Sequence, residues 1–95
     1  MRIFDSAERD LEDGDHFYER QSQGLGIYFL DSLYSDIDSR LFFAGIHRKV
    51  FGHYRLLARR FPFAVYYEIV ENEILVFAVL DCRRNPDWIR VRLRG

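Results

Sequence analysis

Arg55-Leu56-Leu57-Ala58-Arg59-Arg60-Phe61-Pro62-Phe63-Ala64-Val65-Tyr66-Tyr67 reads as an arginine-bearing strand that turns at a proline and starts a second strand. An apolar run from Ile74 to Cys82 follows, and Arg83-Arg84-Asn85-Pro86-Asp87-Trp88 closes the series with a basic pair and a tryptophan. Pro62 has no N–H to give a sheet ladder, so it marks a turn or bulge between strands over His53–Phe61 and Phe63–Val70. Glu71-Asn72-Glu73 forms the next turn, with Asn72 tolerant of a left-handed backbone, before the strand over Ile74–Cys82. Links this short imply antiparallel pairing. Asn85 is placed to cap a terminal helix with Pro86 in its first position, docked by Trp88, Ile89 and Leu93.

Upstream the periodicity becomes helical. Arg2-Ile3-Phe4 is a short opening strand, and Asp5 with Glu8 three positions on suggests an N-cap of the capping-box kind. Ala7, Leu11, Gly14, Phe17 and Tyr18 share one face of the first helix, while Glu8, Asp10, Glu12, Asp13 and Asp15 form a solvated face. Gly14 would allow close approach of a second helix. The Ser22-Gln23-Gly24 cluster ends the first helix, and a second runs from Gly26 to Arg40 with Ile27, Leu30, Leu33, Tyr34, Ile37 and Leu41 as its apolar stripe. So short a link requires an antiparallel helix hairpin. Phe42 to Gly52 is a connector carrying His47-Arg48-Lys49. The order is β-α-α-β-β-β with a short C-terminal helix, an α+β layout with the hairpin packed on a mostly antiparallel sheet. Ile27, Leu30, Tyr34, Ile37 and Leu41 are expected against Val65, Tyr67, Val76, Ala78 and Leu80 or their alternating neighbours.

Ninety-five residues make one domain, 1–95. Nine Phe, six Tyr and one Trp are hard to hide in a chain of this size, so some are expected on a partner-binding surface. Cys82 is the only cysteine, which excludes an internal disulfide and fits a reducing cytoplasm. It falls in an apolar strand pattern and is expected to pack as a small hydrophobe. No run reaches membrane-spanning length and no signal peptide opens the chain. The net charge of −1 hides an asymmetry, with residues 1–40 at −6 and residues 41–95 at +5. Thirteen of the fourteen bases are Arg, Lys49 being the exception, which favours planar recognition of carboxylate or phosphate. The second half should present a basic face to an acidic partner, polypeptide or nucleic acid.

Enzyme motifs are missing: there is no glycine-rich phosphate loop, no metal-ligand spacing and no nucleophile with an evident base. Neither a cofactor nor a metal is implied, and His16, His47 and His53 are too scattered to argue for one. The basic constellation is Arg48, Lys49, Arg55, Arg59, Arg60, Arg83 and Arg84, with Trp88 beside it. A metal-free ribonuclease needs a base, cations at the phosphate and an acid for the leaving oxygen. Guanidinium supplies only the cation, so His47, His53, Tyr54, Tyr66 or Glu68 would have to supply the rest.

The arginine-bearing strand, the proline turn, the apolar strands and Arg83-Arg84 before Trp88, behind two helices, resemble the ParE/RelE family of bacterial type II toxins, also called plasmid-stabilisation toxins. The resemblance spans Asp5 to about Leu93. It implies a cytoplasmic toxin with a cognate antitoxin encoded in the adjacent gene, and contact with operator DNA only through that antitoxin. The mRNA-cleaving RelE-like members carry an Arg in the strand that here reads Phe63-Ala64-Val65-Tyr66-Tyr67, an Arg ending the last strand, and a Tyr or His in the C-terminal segment. Arg84 matches the second; Ala64 stands near the first, and no Tyr or His follows Arg84. That departure resembles the ParE branch, whose members inhibit DNA gyrase by binding. The alternatives are a RelE-like endonuclease acting on mRNA at the translating ribosome, with Arg84, Arg59, His47, His53 and Tyr66 as its candidates, or a non-toxic remnant that only binds an antitoxin. An RNA-platform module fits less well, because its strand order and aromatic signature differ from this chain.

Overall fold

The structure, a computed structural model, describes residues 1–94; Gly95 lies outside the described residues. It is an α+β fold of three helices and a five-stranded sheet. In chain order these are β1 (Arg2–Ile3), α1 (Asp5–Gln21), α2 (Leu25–Arg40), β2 (Lys49–Val50), β3 (His53–Leu57), β4 (Phe63–Val70), β5 (Glu73–Asp81) and α3 (Pro86–Arg94). The sheet order is β1-β5-β4-β3-β2; β1 runs parallel to β5 and every other pairing is antiparallel. No described helix is long and apolar enough to cross a membrane.

The helix hairpin forms as expected, with a different register. Phe29, Leu33, Ile37 and Leu41 are buried, whereas Ile27 and Tyr34 are exposed. Gly14 is the reason: a Cβ there would meet the Phe29 ring at 2.5 Å, so the ring occupies the space a side chain would take. Seating Phe29 against α1 turns Ile27 and Tyr34 outward. The start of α1 also departs from expectation. Phe4 is the N-cap and Asp5 the first helical residue, and no side chain caps the end, so the Asp5–Glu8 box is not made. Asp10 is not on a solvated face but buried at 8% exposure.

Between α2 and β3, the expected connector contains a 3₁₀ turn over Leu41–Phe43 and the edge strand β2. β3 stops at Leu57 rather than Phe61, so Arg55 is the only arginine of the opening motif in a strand, and Arg59 and Arg60 lie in the bend. The bend is closed by Ala58 N–H donating to Phe63 O at 2.8 Å, while Pro62 O accepts from Cys82 N–H at 2.7 Å. Cys82 therefore lies beyond β5 and is exposed, not packed in a strand. The β4–β5 turn places Glu71 at φ 50° and Asn72 at φ 65°, the two left-handed residues that a tight hairpin needs. Asn85 caps α3 as read, its Oδ1 accepting from Asp87 N–H at 2.8 Å.

Strict alternation fails in β5. Tyr66 pairs with Ala78 but Tyr67 pairs with Val76, which leaves Phe77 as a bulge residue. The extra residue reverses the faces, so Val76 and Val79 pack with Phe63, Val65 and Tyr67 under the helix hairpin. Ala78 and Leu80 point the other way, with Ala64 and Tyr66, and are covered by Ile89 and Leu93 of α3. The expectation that Ala78 and Leu80 meet the hairpin is thus corrected by one inserted residue.

Candidate functional site

β1 pairs only with Leu75 and Val76, so the later part of β5 has an open side. Two side chains of α1 fill it. Ser6 Oγ donates to Phe77 O at 2.8 Å, and Asp10 Oδ2 accepts from Val79 N–H at 3.0 Å. The same Asp10 oxygen accepts from the Arg92 guanidinium at 2.8 Å, which ties α1 to α3. A cleft of about 450 Å³ lies at this junction, with Phe17 and Arg20 on one wall and Arg84, Trp88 and Arg92 on the other. The Arg84 guanidinium sits 4.1 Å from the Trp88 ring centroid and Arg92 sits 5.6 Å from it. Arg92 lies one helical turn beyond Trp88 in α3, whereas Arg84 reaches the ring from the bend that precedes the helix.

Arg83 and Arg84 diverge in environment. Arg83 makes a two-pronged contact with Asp81, at 3.0 Å from Nε and 2.7 Å from a terminal nitrogen. Hydrogen bonding from Arg83 holds the Asp81 carboxyl below its ordinary range against the opposing effect of burial. Arg84 has no carboxylate within ion-pair distance among the described residues, and neither has Arg20. An incoming acidic side chain or phosphate would find these two cations free beside an aromatic wall. Trp88 lines the cleft beside Arg84.

The other cations are spread out. Arg48 precedes β2 and Lys49 begins it, Lys49 with its ammonium 4.7 Å from the Tyr54 ring centroid. Arg55 stands opposite Tyr66 in the β3–β4 pair. Arg59 is held by its backbone N–H, which donates to the buried Asp36 at 3.1 Å, and Arg60 is exposed in the same bend.

The ribonuclease candidates do not converge either. His47 meets the hydroxyl of Tyr67, a residue of the hairpin-side core. Burial, helped by the Arg40 charge, lowers the His47 pKa from its ordinary value. His53 lies on the opposite face, with Nε2 3.0 Å from Leu93 O of α3 and Nδ1 3.5 Å from Glu68. Tyr66 shares that face but is buried under α3, and burial raises its hydroxyl pKa against the opposing charge of Arg55. The sheet stands between His47 and the other two.

The sequence placed Tyr67 in the core but not the partners of its hydroxyl, and it gave no sign that Asp10 and Asp36 are buried. The two acids sit in helices where surrounding acids are solvated, and only the fold shows which carboxylate meets a backbone N–H. No family model matches the chain, and no curated protein matches it.

Proposed function

We propose that this chain is a toxin of the ParE/RelE kind, held inactive by an antitoxin from the adjacent gene, and that it inhibits DNA gyrase by binding. The element order, a helix hairpin followed by an antiparallel sheet and a short terminal helix, is consistent with the resemblance. The observation that favours binding over cleavage is the separation of His47 from His53 and Tyr66 by the sheet. Acid and base must reach one phosphate in a ribonuclease, and either is worth roughly 100-fold in rate. Binding needs only cations and aromatics, which Arg84 and Trp88 supply at the cleft.

The test pairs two assays on the purified protein. Gyrase supercoiling should be blocked, and Arg84→Ala should weaken the block, as should added salt. Translated mRNA should stay intact. Cleavage of mRNA at the ribosome that Arg84→Ala abolishes would replace this proposal with the endonuclease reading. Growth arrest relieved by co-expression of the adjacent reading frame would support the toxin–antitoxin pairing.

A further inference from the structure

The segment after α2 displays apolar side chains in a way that a mobile loop does not. Phe42 is 82% exposed, Phe43 62% and Ile46 77%, and the two phenylalanine rings pack edge to face at 5.1 Å. Their backbone is fixed. Ala44 N–H closes the 3₁₀ turn onto Leu41 O at 3.0 Å, and Gly45, at φ +97°, donates its N–H to the Tyr67 hydroxyl at 2.9 Å. The same hydroxyl is hydrogen-bonded to Nδ1 of His47. Tyr67 is itself fully buried, so one core hydroxyl anchors the chain on both sides of Ile46 and leaves its side chain pointing out.

Along the chain, the charge on either side of this loop has one sign. The sequence has no acid between Asp38 and Glu68, and Glu68 is drawn to His53 on the other face of the sheet. Arg48 and Lys49 follow the loop directly, with no carboxylate within ion-pair distance among the described residues. Lys49 lies over Tyr54, which stacks on Tyr67 at 5.1 Å, so its ammonium shares the side of the sheet that holds the loop. A second copy of the chain would bring these cations against themselves. A segment carrying both carboxylates and apolar side chains satisfies both features.

We propose that Phe42, Phe43 and Ile46, with Arg48 and Lys49, form the docking surface for an acidic, apolar polypeptide segment of a partner. Because the loop is already ordered, little conformational freedom is lost when the partner arrives. The proposal rests on the toxin reading only for the gene that encodes the segment.

Two probes test it on the full chain: a short peptide of alternating leucine and glutamate, and the polypeptide of the adjacent reading frame. The peptide should shift the amide resonances of residues 42–49, and its leucine–lysine counterpart should not. Ile46→Asp and Lys49→Glu should each weaken binding at least about ten-fold, the effect of losing one central contact, with the melting temperature unchanged. Failure of the acidic peptide to bind, or shifts centred on Trp88 instead, would overturn the proposal. If the adjacent-frame polypeptide binds wild type and Ile46→Asp equally, the surface is wrong and the toxin reading survives. If that polypeptide ignores the wild type while the acidic peptide moves the loop, the surface stands and the toxin reading falls.

Discussion

The two faces of the sheet are built to different standards. Under the helix hairpin, Leu11, Phe29, Leu33, Ile37, Val65, Tyr67, Val76 and Val79 are almost wholly hidden. Phe29 also contacts Tyr18, Phe61 and Phe63 ring to ring. Under α3 the cover is thin: Ile89 and Leu93 are its only buried residues, and both keep a little exposure. Beside them His53 Nδ1 and Glu68 Oε1 are buried and face each other at 3.5 Å without a well-formed hydrogen bond. A buried polar pair without good hydrogen-bond geometry costs stability that the aromatic face does not forfeit. The hairpin face therefore carries the fold, and α3 is attached to it with less to lose.

The largest test of this difference is Phe29→Ala, which should cost about 3–5 kcal/mol in urea unfolding because nothing can collapse into the space opposite Gly14. Leu93→Ala should cost about 2 kcal/mol, low for a buried leucine because the site is near the rim. Its loss should appear first as faster amide exchange in α3, with the sheet amides still protected; equal acceleration in the sheet would show that the two faces unfold as one. Asp10→Ala should cost about 1 kcal/mol, as it strands Val79 N–H and frees Arg92. Because Asp10 bridges the two halves, its removal should accelerate exchange in α3 as well as at Val79.

The smallest effect concerns acidity. Burial lowers the His47 pKa, so the folded form disfavours the proton. The Tyr67–His47 contact is therefore intact above the ordinary histidine value of 6.5 and is lost as pH falls below it. Exchange of the Gly45 amide should quicken over that range while α3 is unaffected. A rise in Gly45 exchange on going alkaline would contradict this sign.

Much of the architecture was legible in the sequence because the decisive residues act locally. Pro62 blocked a ladder donor, Asn72 took a left-handed turn, and Asn85 with Pro86 started a helix. What could not be read depended on distant partners. Periodicity alone put Ile27 inward, and the absent side chain of Gly14 seats Phe29 there instead. One bulge residue, Phe77, sent Ala78 and Leu80 to the face opposite the expected one. Among the site residues, the sequence placed Arg84 close before Trp88, and the Asn85-capped start of α3 brings the guanidinium over the ring. It had no means of placing His47 and His53 on opposite faces, since that depends on which strand each one meets.

The bonds from Ser6 and Asp10 to β5 have a bearing on how copies of this chain meet at high concentration. A sheet grows from molecule to molecule when a strand offers a free row of alternating donors and acceptors to a neighbour. Here the Phe77 carbonyl and the Val79 N–H are already engaged by side chains of a helix, which offer no continuing ladder to a further strand. At the opposite end of the sheet, β2 exposes only two residues, flanked by Arg48 and beginning with Lys49. Both ends thus resist fibre-like stacking, and Ser6→Ala combined with Asp10→Ala is the change that should make the protein prone to it.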